Sequence, residues 1–259
     1  MDLAQAVALA LIQGITEFLP VSSSGHLILA PALLGWPDQG LGFDIAVHLG
    51  TLAAVIVYFR RDLMAMATGL REPRSPEFRL AIFIIVASVP LGAAGLLFSD
   101  QVEGGLRSPG VIAASTAGFG VLLWLADRLG RGRRSETALG WRDVAAIGFA
   151  QALALIPGTS RSGITMTVAL AMGLSRQAAG RFSFLLAIPA IAMAALWQFM
   201  QFMSSPEPVA WSALALAAAV AAAVAFATIA VFLSLIERIG MAPFAIYRLL
   251  LGGALVYLF

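Results

Sequence analysis

Gln13-Gly-Ile-Thr-Glu-Phe-Leu-Pro-Val-Ser-Ser-Ser-Gly-His26 decides how the chain is read, because it places an acid and a histidine between two lipid-grade apolar runs. An isolated charge at membrane depth costs roughly 2.5–3.5 kcal/mol on insertion scales. Glu17 and His26 therefore need partners there, unless the stretch is an ordinary surface loop. A second interruption argues against the loop: Pro157-Gly-Thr-Ser-Arg-Ser-Gly-Ile-Thr165 breaks another apolar run. Sliding the chain by 138 positions lays Gln13 on Gln151, Ser22 on Ser160, Ser24 on Ser162 and Gly25 on Gly163. Such a shift predicts two halves, each opening with a broken apolar element.

Composition sets the solvent. Of the 259 residues 60% are hydrophobic and 12% charged, with a mean hydropathy of +0.92, against a charged share of about 25% in soluble domains. The chain is an integral membrane protein. Met-Asp-Leu-Ala-Gln at the start has no basic region ahead of its apolar run, so a cleaved signal peptide is not expected. Absence of cysteine excludes disulfides and thiolate metal sites. A pI near 9.7 raises nucleic acid as a partner, but the arginines gather in two short connectors, which fits the positive-inside bias and no nucleic acid.

Residues 3–35 read as a re-entrant hairpin with an irregular tip around Pro20 to Gly25, since each arm is too short or too polar for the ~20 apolar residues of a full span. Spans follow at 43–59, 80–98 (with Pro90 as a kink) and 110–126. Between them run a polar connector with Arg60, Arg61, Arg71, Arg74 and Arg79, a short acidic one at 99–109, and one at 127–143 with Arg128, Arg131, Arg133, Arg134 and Arg142. The second half repeats the plan. Arms at 144–156 and 164–173 flank the second break, and spans follow at 177–200, 210–235 and 241–258, with 204–208 as a connector. The expectation is a single all-α polytopic membrane domain over 1–259, an inverted-topology repeat of about 1–130 and 139–259. It has six transmembrane helices plus two re-entrant helical hairpins. Three crossings per half invert the second half relative to the first. Two spans separate the Arg-rich connectors, so both lie on one side, which positive-inside bias makes cytoplasmic, with both termini outside. The two tips then meet near the middle, bringing Glu17 and His26 against Arg161.

Arg161 is the strongest anion-binding candidate, a permanent cation whose planar fork matches phosphate or carboxylate. Thr159, Ser160, Ser162 and Thr165 surround it with hydroxyls, and Gly158 and Gly163 free backbone N–H groups at the next helix start to face an anion. The competing readings are helix caps for the serines and a plain Arg161–Glu17 ion pair. Opposite stand Ser22, Ser23, Ser24 and His26. Histidine can move a proton or attack phosphorus, and Glu17 can orient it, act as base or bind a divalent cation. His48 and Asp44, one turn apart, either pair with each other or line the cavity. Two histidines and no cysteine make a structural zinc site an unpromising reading.

Both interruptions resemble the motifs of the bacterial undecaprenyl-diphosphate phosphatase family associated with bacitracin resistance, from Gly14 to His26 and from Pro157 to Thr165. Phe182-Ser-Phe-Leu-Leu-Ala-Ile-Pro189 and Tyr247-Arg248 agree further, and the likeness covers nearly the whole chain. The resemblance implies a hydrolase of the bacterial inner membrane that removes the terminal phosphate of a C55 isoprenyl diphosphate, recycling the carrier of cell-wall precursors from a site open to the periplasmic side. It implies essential roles for Glu17, His26 and Arg161, with Ser23 and Ser160 among the motif serines. Phosphate binding then falls to Ser22, Ser24, Thr159, Ser160, Arg161, Ser162, Gly163 and Thr165, and Mg²⁺ or Ca²⁺ to Glu17. One departure stands out: Gln13 occupies the first acidic position of the family's motif and can be neither base nor charged ligand. The nucleophile stays open between Ser23, His26 and water. Architecture alone also fits a secondary transporter or flippase for an anionic or lipid-phosphate substrate, and the oligomeric state stays open, a dimer included.

Overall fold

The structure is a computed structural model that describes residues 2–258 apart from 38, 107, 131 and 205–209, together with the side chains of all of these but 32 and 99–105. Arg131 and residues 205–208 of the expected connectors thus lie outside the described residues. Eleven α-helices carry the described chain: α1 Leu3–Thr16, α2 Ser23–Leu34, α3 Leu41–Tyr58, α4 Arg60–Gly69, α5 Pro76–Gly105, α6 Pro109–Leu129, α7 Trp141–Ala152, α8 Arg161–Ala171, α9 Arg176–Met203, α10 Trp211–Ile239 and α11 Ala242–Leu258. Five of them, α3, α5, α6, α9 and α10, are long and apolar enough to cross a membrane. The protein is a multi-pass membrane protein. At 17 residues α11 is shorter, and so are the arms α1, α2, α7 and α8. With 14 residues α1 reaches only ~21 Å, short of a ~30 Å hydrocarbon core.

Local chemistry sets the ends. Asp2 caps α1 by accepting from the Ala4 N–H at 2.9 Å. Gly35, at φ 64, closes α2 in the left-handed conformation that glycine adopts without a Cβ penalty. Ser108, Pro109 and Ser175 begin α6 and α9 as cap, first-turn proline and cap. Pro90 lies inside a continuous α5. Two connectors differ from expectation. Arg60–Gly69 forms a helix within the polar 60–79 connector, because Met66 and Leu63 anchor one face of a segment rich in helix formers. Further on, α5 continues to Gly105 through the stretch expected to be a loop.

Packing pairs the halves crosswise. The first arm, α1, lies on α10, and α7 lies on α5, while α3 packs on α10 and α9, α5 on α9, and α6 on α11. Close approach needs glycine at both arm contacts. A Cβ at Gly14 would sit 2.8 Å from the Val224 Cβ, and one at Gly148 would sit 2.9 Å from the Ala87 backbone. Small residues at helix contacts are how membrane helices gain dispersion energy, because lipid offers no hydrophobic drive. The central core gathers Phe18 of the first tip with Phe182, Phe184 and Phe232, Phe18 meeting Phe184 edge-on at 5.3 Å.

One rim of the bundle is ionic. Arg176 holds Asp127 at 2.6 and 3.0 Å, Arg181 holds Asp62 and Glu136 at 2.6 Å each, and Arg134 holds Asp143 at 2.7 Å. These pairs bring the ends of α6 and α10 and the starts of α7, α9 and α11 to the same rim, since Arg176 also reaches the Glu237 carbonyl and Asp127 accepts from Met241 N–H. At Asp143, burial raises the carboxyl but hydrogen bonds from Arg134 and the Gly140 N–H outweigh it, holding it below the usual carboxylate range. A cavity of about 250 Å³ opens at this rim among Arg74, Arg79, Asp62 and Glu136; its Asp62 and Glu136 are already paired with Arg181.

Candidate active site

Both interruptions fold into the same local shape. Ser22 at φ 77 leads into α2 and Ser160 at φ 67 leads into α8. They are the only non-glycine residues with positive φ among the described residues, a conformation that costs about 1–3 kcal/mol and persists only where surroundings enforce it. The strained serine is followed in each tip by the first residue of a helix, Ser23 in one and Arg161 in the other, and these too are related by the 138-residue shift.

Those two residues converge on Glu17. The Ser23 hydroxyl donates to Glu17 Oε2 at 2.7 Å, Gln13 Nε2 donates to the same oxygen at 3.0 Å, and Arg161 Nη2 lies 3.3 Å from Glu17 Oε1. A further donor pair fixes the arginine: its Nη1 reaches the Ser183 carbonyl on α9 at 3.0 Å. The charge is thus neutralised and hydrogen-bonded inside the bundle, as an intramembrane charge must be. Around the cluster lies a cavity of about 220 Å³, lined on its polar side by Glu17, Ser22, Ser23, Ser24, His48, Ser160 and Arg161. Its other wall is apolar: Leu91 of α5, Ala154 and Ile156 after α7, and Ala190, Ile191 and Ala194 of α9.

Other residues singled out by sequence lie behind this cavity. Ser162 donates to the Leu19 carbonyl at 2.9 Å, joining one tip to the other. Thr165 bonds Ser183 Oγ at 2.7 Å, the Gly163 N–H is taken by Ser160 Oγ at 3.1 Å, and Thr159 is fully buried. The cap reading holds for Ser160, which also lines the cavity. His26 is absent from the lining: its ring turns to Tyr247 of α11, and its Nδ1 lies 2.7 Å from the Ser22 carbonyl. His48 lines the cavity, its Nδ1 2.7 Å from the Asp44 backbone carbonyl and its Nε2 3.9 Å from Glu17.

Sequence analysis noted Arg248 only within the Tyr247-Arg248 resemblance and gave it no role at the site. It is fully buried and bonds carbonyls of Pro20, Thr116, Gly158 and Thr159 at 2.9–3.2 Å, so one guanidinium spans both tips. A cation inside a predicted span was the available signal. Among the described residues no group of three His, Cys, Asp or Glu side chains is placed to hold a metal. The oxygen donors at the cavity are Glu17 and the serine hydroxyls, and Gln13 Oε1 beside them is buried without a partner.

Glu17, Arg161 and Ser23 thus form one hydrogen-bonded cluster at a cavity with an apolar wall, in a multi-pass membrane protein. Comparison carries this further. The chain belongs to the family described as Bacitracin resistance protein BacA, whose model matches residues 6–254. It is 52% identical to a protein of Nitrosococcus oceani named undecaprenyl-diphosphatase, over all of both chains. Identity is again 52%, over all of this chain and 99% of the relative, to undecaprenyl-diphosphatase 2 of Stutzerimonas stutzeri. Thioalkalivibrio sulfidiphilus has an undecaprenyl-diphosphatase 51% identical over the full length of both chains.

Proposed function

We propose that the protein is an undecaprenyl-diphosphate phosphatase, hydrolysing the C55 diphosphate to undecaprenyl phosphate and inorganic phosphate in a bacterial inner membrane and so recycling the carrier for cell-wall synthesis. Full-length identity near 52% to relatives of that name supports it, and the single structural observation that carries it is the Ser23–Glu17–Arg161 cluster facing an apolar wall. A polar head fits against the cluster while the isoprenyl chain stays in lipid, which avoids moving the tail through water. The names of the relatives favour hydrolysis over the transporter or flippase alternative.

The contacts support the following residue roles. Arg161 takes the terminal phosphate with its fork, and in doing so exchanges its bond to Glu17 for bonds to substrate. Glu17 is thereby freed of its bond to the guanidinium. Glu17 accepts the Ser23 proton as Oγ attacks phosphorus; the new Oγ–P bond forms as the bond to the bridging oxygen breaks, and undecaprenyl phosphate leaves carrying that proton, which restores the carboxylate. Water, deprotonated by Glu17, then cleaves the Oγ–P ester to release phosphate and return the proton to Ser23. Ser22, Ser24 and Ser160 add hydroxyl donors around the phosphate. Glu17, the carboxylate at the cavity, would hold a hard cation, Mg²⁺ or Ca²⁺, which would supply neutralisation of the diphosphate charge.

The shared ionic rim supports an orientation in which both Arg-rich connectors are cytoplasmic, α7 and α8 enter from that side, α1 and α2 enter from outside, and both termini are external. Crosswise packing of α1 on α10 and α7 on α5 supports the inverted repeat with α11 as the sixth span. The cavity then opens toward the periplasm. Phosphate release from C55 diphosphate by the purified protein, with and without chelator, tests the activity; no release under any cation would refute it.

A further inference from the structure

His26 is held at both ring nitrogens. Its Nδ1 lies 2.7 Å from the Ser22 carbonyl, and a carbonyl oxygen only accepts, so Nδ1 carries the proton. Nε2 is therefore the acceptor, and the Tyr247 hydroxyl donates to it at 2.5 Å while the two rings stack at 5.6 Å and 7°. A lone pair already filled in this way is not aimed at phosphorus, and His26 does not line the cavity.

What the ring does grip is the strained residue. Ser22 stands at φ 77 immediately before Ser23, whose hydroxyl must point at Glu17. The two tips differ in how that strain is held. Ser160 caps its own helix, its hydroxyl accepting from the Gly163 N–H at 3.1 Å. Ser22 makes no side-chain cap bond at all. The first tip thus lacks an internal lock and takes an external one through His26 to α11. Arg248, the next residue of α11, secures the same tip at the Pro20 carbonyl, 3.2 Å away.

We propose that His26 and Tyr247 are positioning residues, a tether from α11 that fixes the Ser22 carbonyl and thereby the direction of Ser23, with His26 forming no covalent bond to phosphate. The proposal rests on Ser23 being the attacking group. It has a specific signature: an Asn side chain places an amide nitrogen where the imidazole has Nδ1, so it restores the bond to Ser22 O without any nucleophilic or acid–base capacity.

The test is the turnover of purified His26→Asn, His26→Ala, Tyr247→Phe and Ser23→Ala on C55 diphosphate, with kcat and KM separated, and acid-labile phosphohistidine assayed on quenched wild type. His26→Asn is expected to recover about tenfold or more of the kcat lost in His26→Ala, the worth of one hydrogen bond near 1.4 kcal/mol. Tyr247→Phe, which keeps the ring, is expected to lower kcat about three- to tenfold with KM within about twofold. Equal losses in the Asn and Ala variants, a phosphohistidine at position 26, or an unchanged kcat in Tyr247→Phe would each overturn the tether. Should the His26 variants not fold, Tyr247→Phe decides alone. Full turnover in Ser23→Ala would remove the Ser23 reading, while the comparison of Asn with Ala would still report whether His26 acts through the Ser22 bond.

Discussion

Glu17 Oε1 lies 3.3 Å from Arg161 Nη2, and this single contact joins two interruptions of the chain 144 residues apart. Each group is nearly enclosed, so neither is a solvated surface charge. Their pairing leaves this part of the cluster neutral.

Replacing Arg161 by Lys keeps the charge and loses the fork. Turnover on C55 diphosphate should fall by at least about tenfold, since bidentate contact exceeds what a point charge supplies. Phosphate release by folded, purified Arg161→Lys at the wild-type rate would show that the fork is dispensable.

Ser23→Ala removes the hydroxyl that donates to Glu17 at 2.7 Å. Hydrolysis should fall by about a hundredfold or more, the scale of losing an activated nucleophile with its base. Quenching wild type with radiolabelled diphosphate should leave an acid-stable phosphoserine. Absence of that adduct together with a mild loss in Ser23→Ala would shift attack to water.

Glu17→Gln separates base from ligand through a cation titration. A purely ligating carboxylate predicts that excess Mg²⁺ or Ca²⁺ restores turnover. The base role predicts that turnover stays at least about tenfold low at saturating cation, because Gln accepts no proton. Chelator should silence the wild type, and readdition of the cation should restore it; activity unaffected by chelator would dismiss the cation.

Orientation is open to direct labelling, because the chain has no cysteine and a single introduced one is unambiguous. Cysteine at Ser75, beside the ionic rim, should resist an impermeant thiol reagent in intact cells and react after permeabilisation. Rapid labelling of intact cells would invert the topology.

Asp143 ties the start of α7 to Arg134 and contributes stability that depends on pH. Its folded carboxyl sits below the usual range, so the contribution is complete above the unfolded value near ~3.9 and is lost as pH falls through the lower folded value. Asp143→Asn should lower the melting temperature in detergent at pH 7, by an amount corresponding to roughly 1–3 kcal/mol for hydrogen bonds to a buried charge. The gap to wild type should close at strongly acid pH. An equal gap at both extremes would remove the ionic explanation.

Much of this architecture was legible in the linear chain. Long apolar runs marked the five helices long and apolar enough to cross, because lipid requires continuous helices and tolerates few charges. Glu17 and Arg161 announced themselves as charges where charges are costly, and the 138-residue shift related their tips. Helix α4 was hidden, since a polar amphipathic helix at a membrane rim has the composition of a connector. Other features depended on contacts that no spacing encodes. Ser160 and Ser162 look alike in sequence, yet one lines the cavity and the other bonds the Leu19 carbonyl. His26 and His48 are both candidate bases, but only packing against α11 turns the first toward Tyr247 and leaves the second facing Glu17. Arg248 sits in the last helix, and its five carbonyl partners come from three distant segments. Sequence determined which residues must be shielded from lipid, because that cost is a property of each side chain. Only the tertiary structure decided which of them share a cavity, because that depends on how the helices meet.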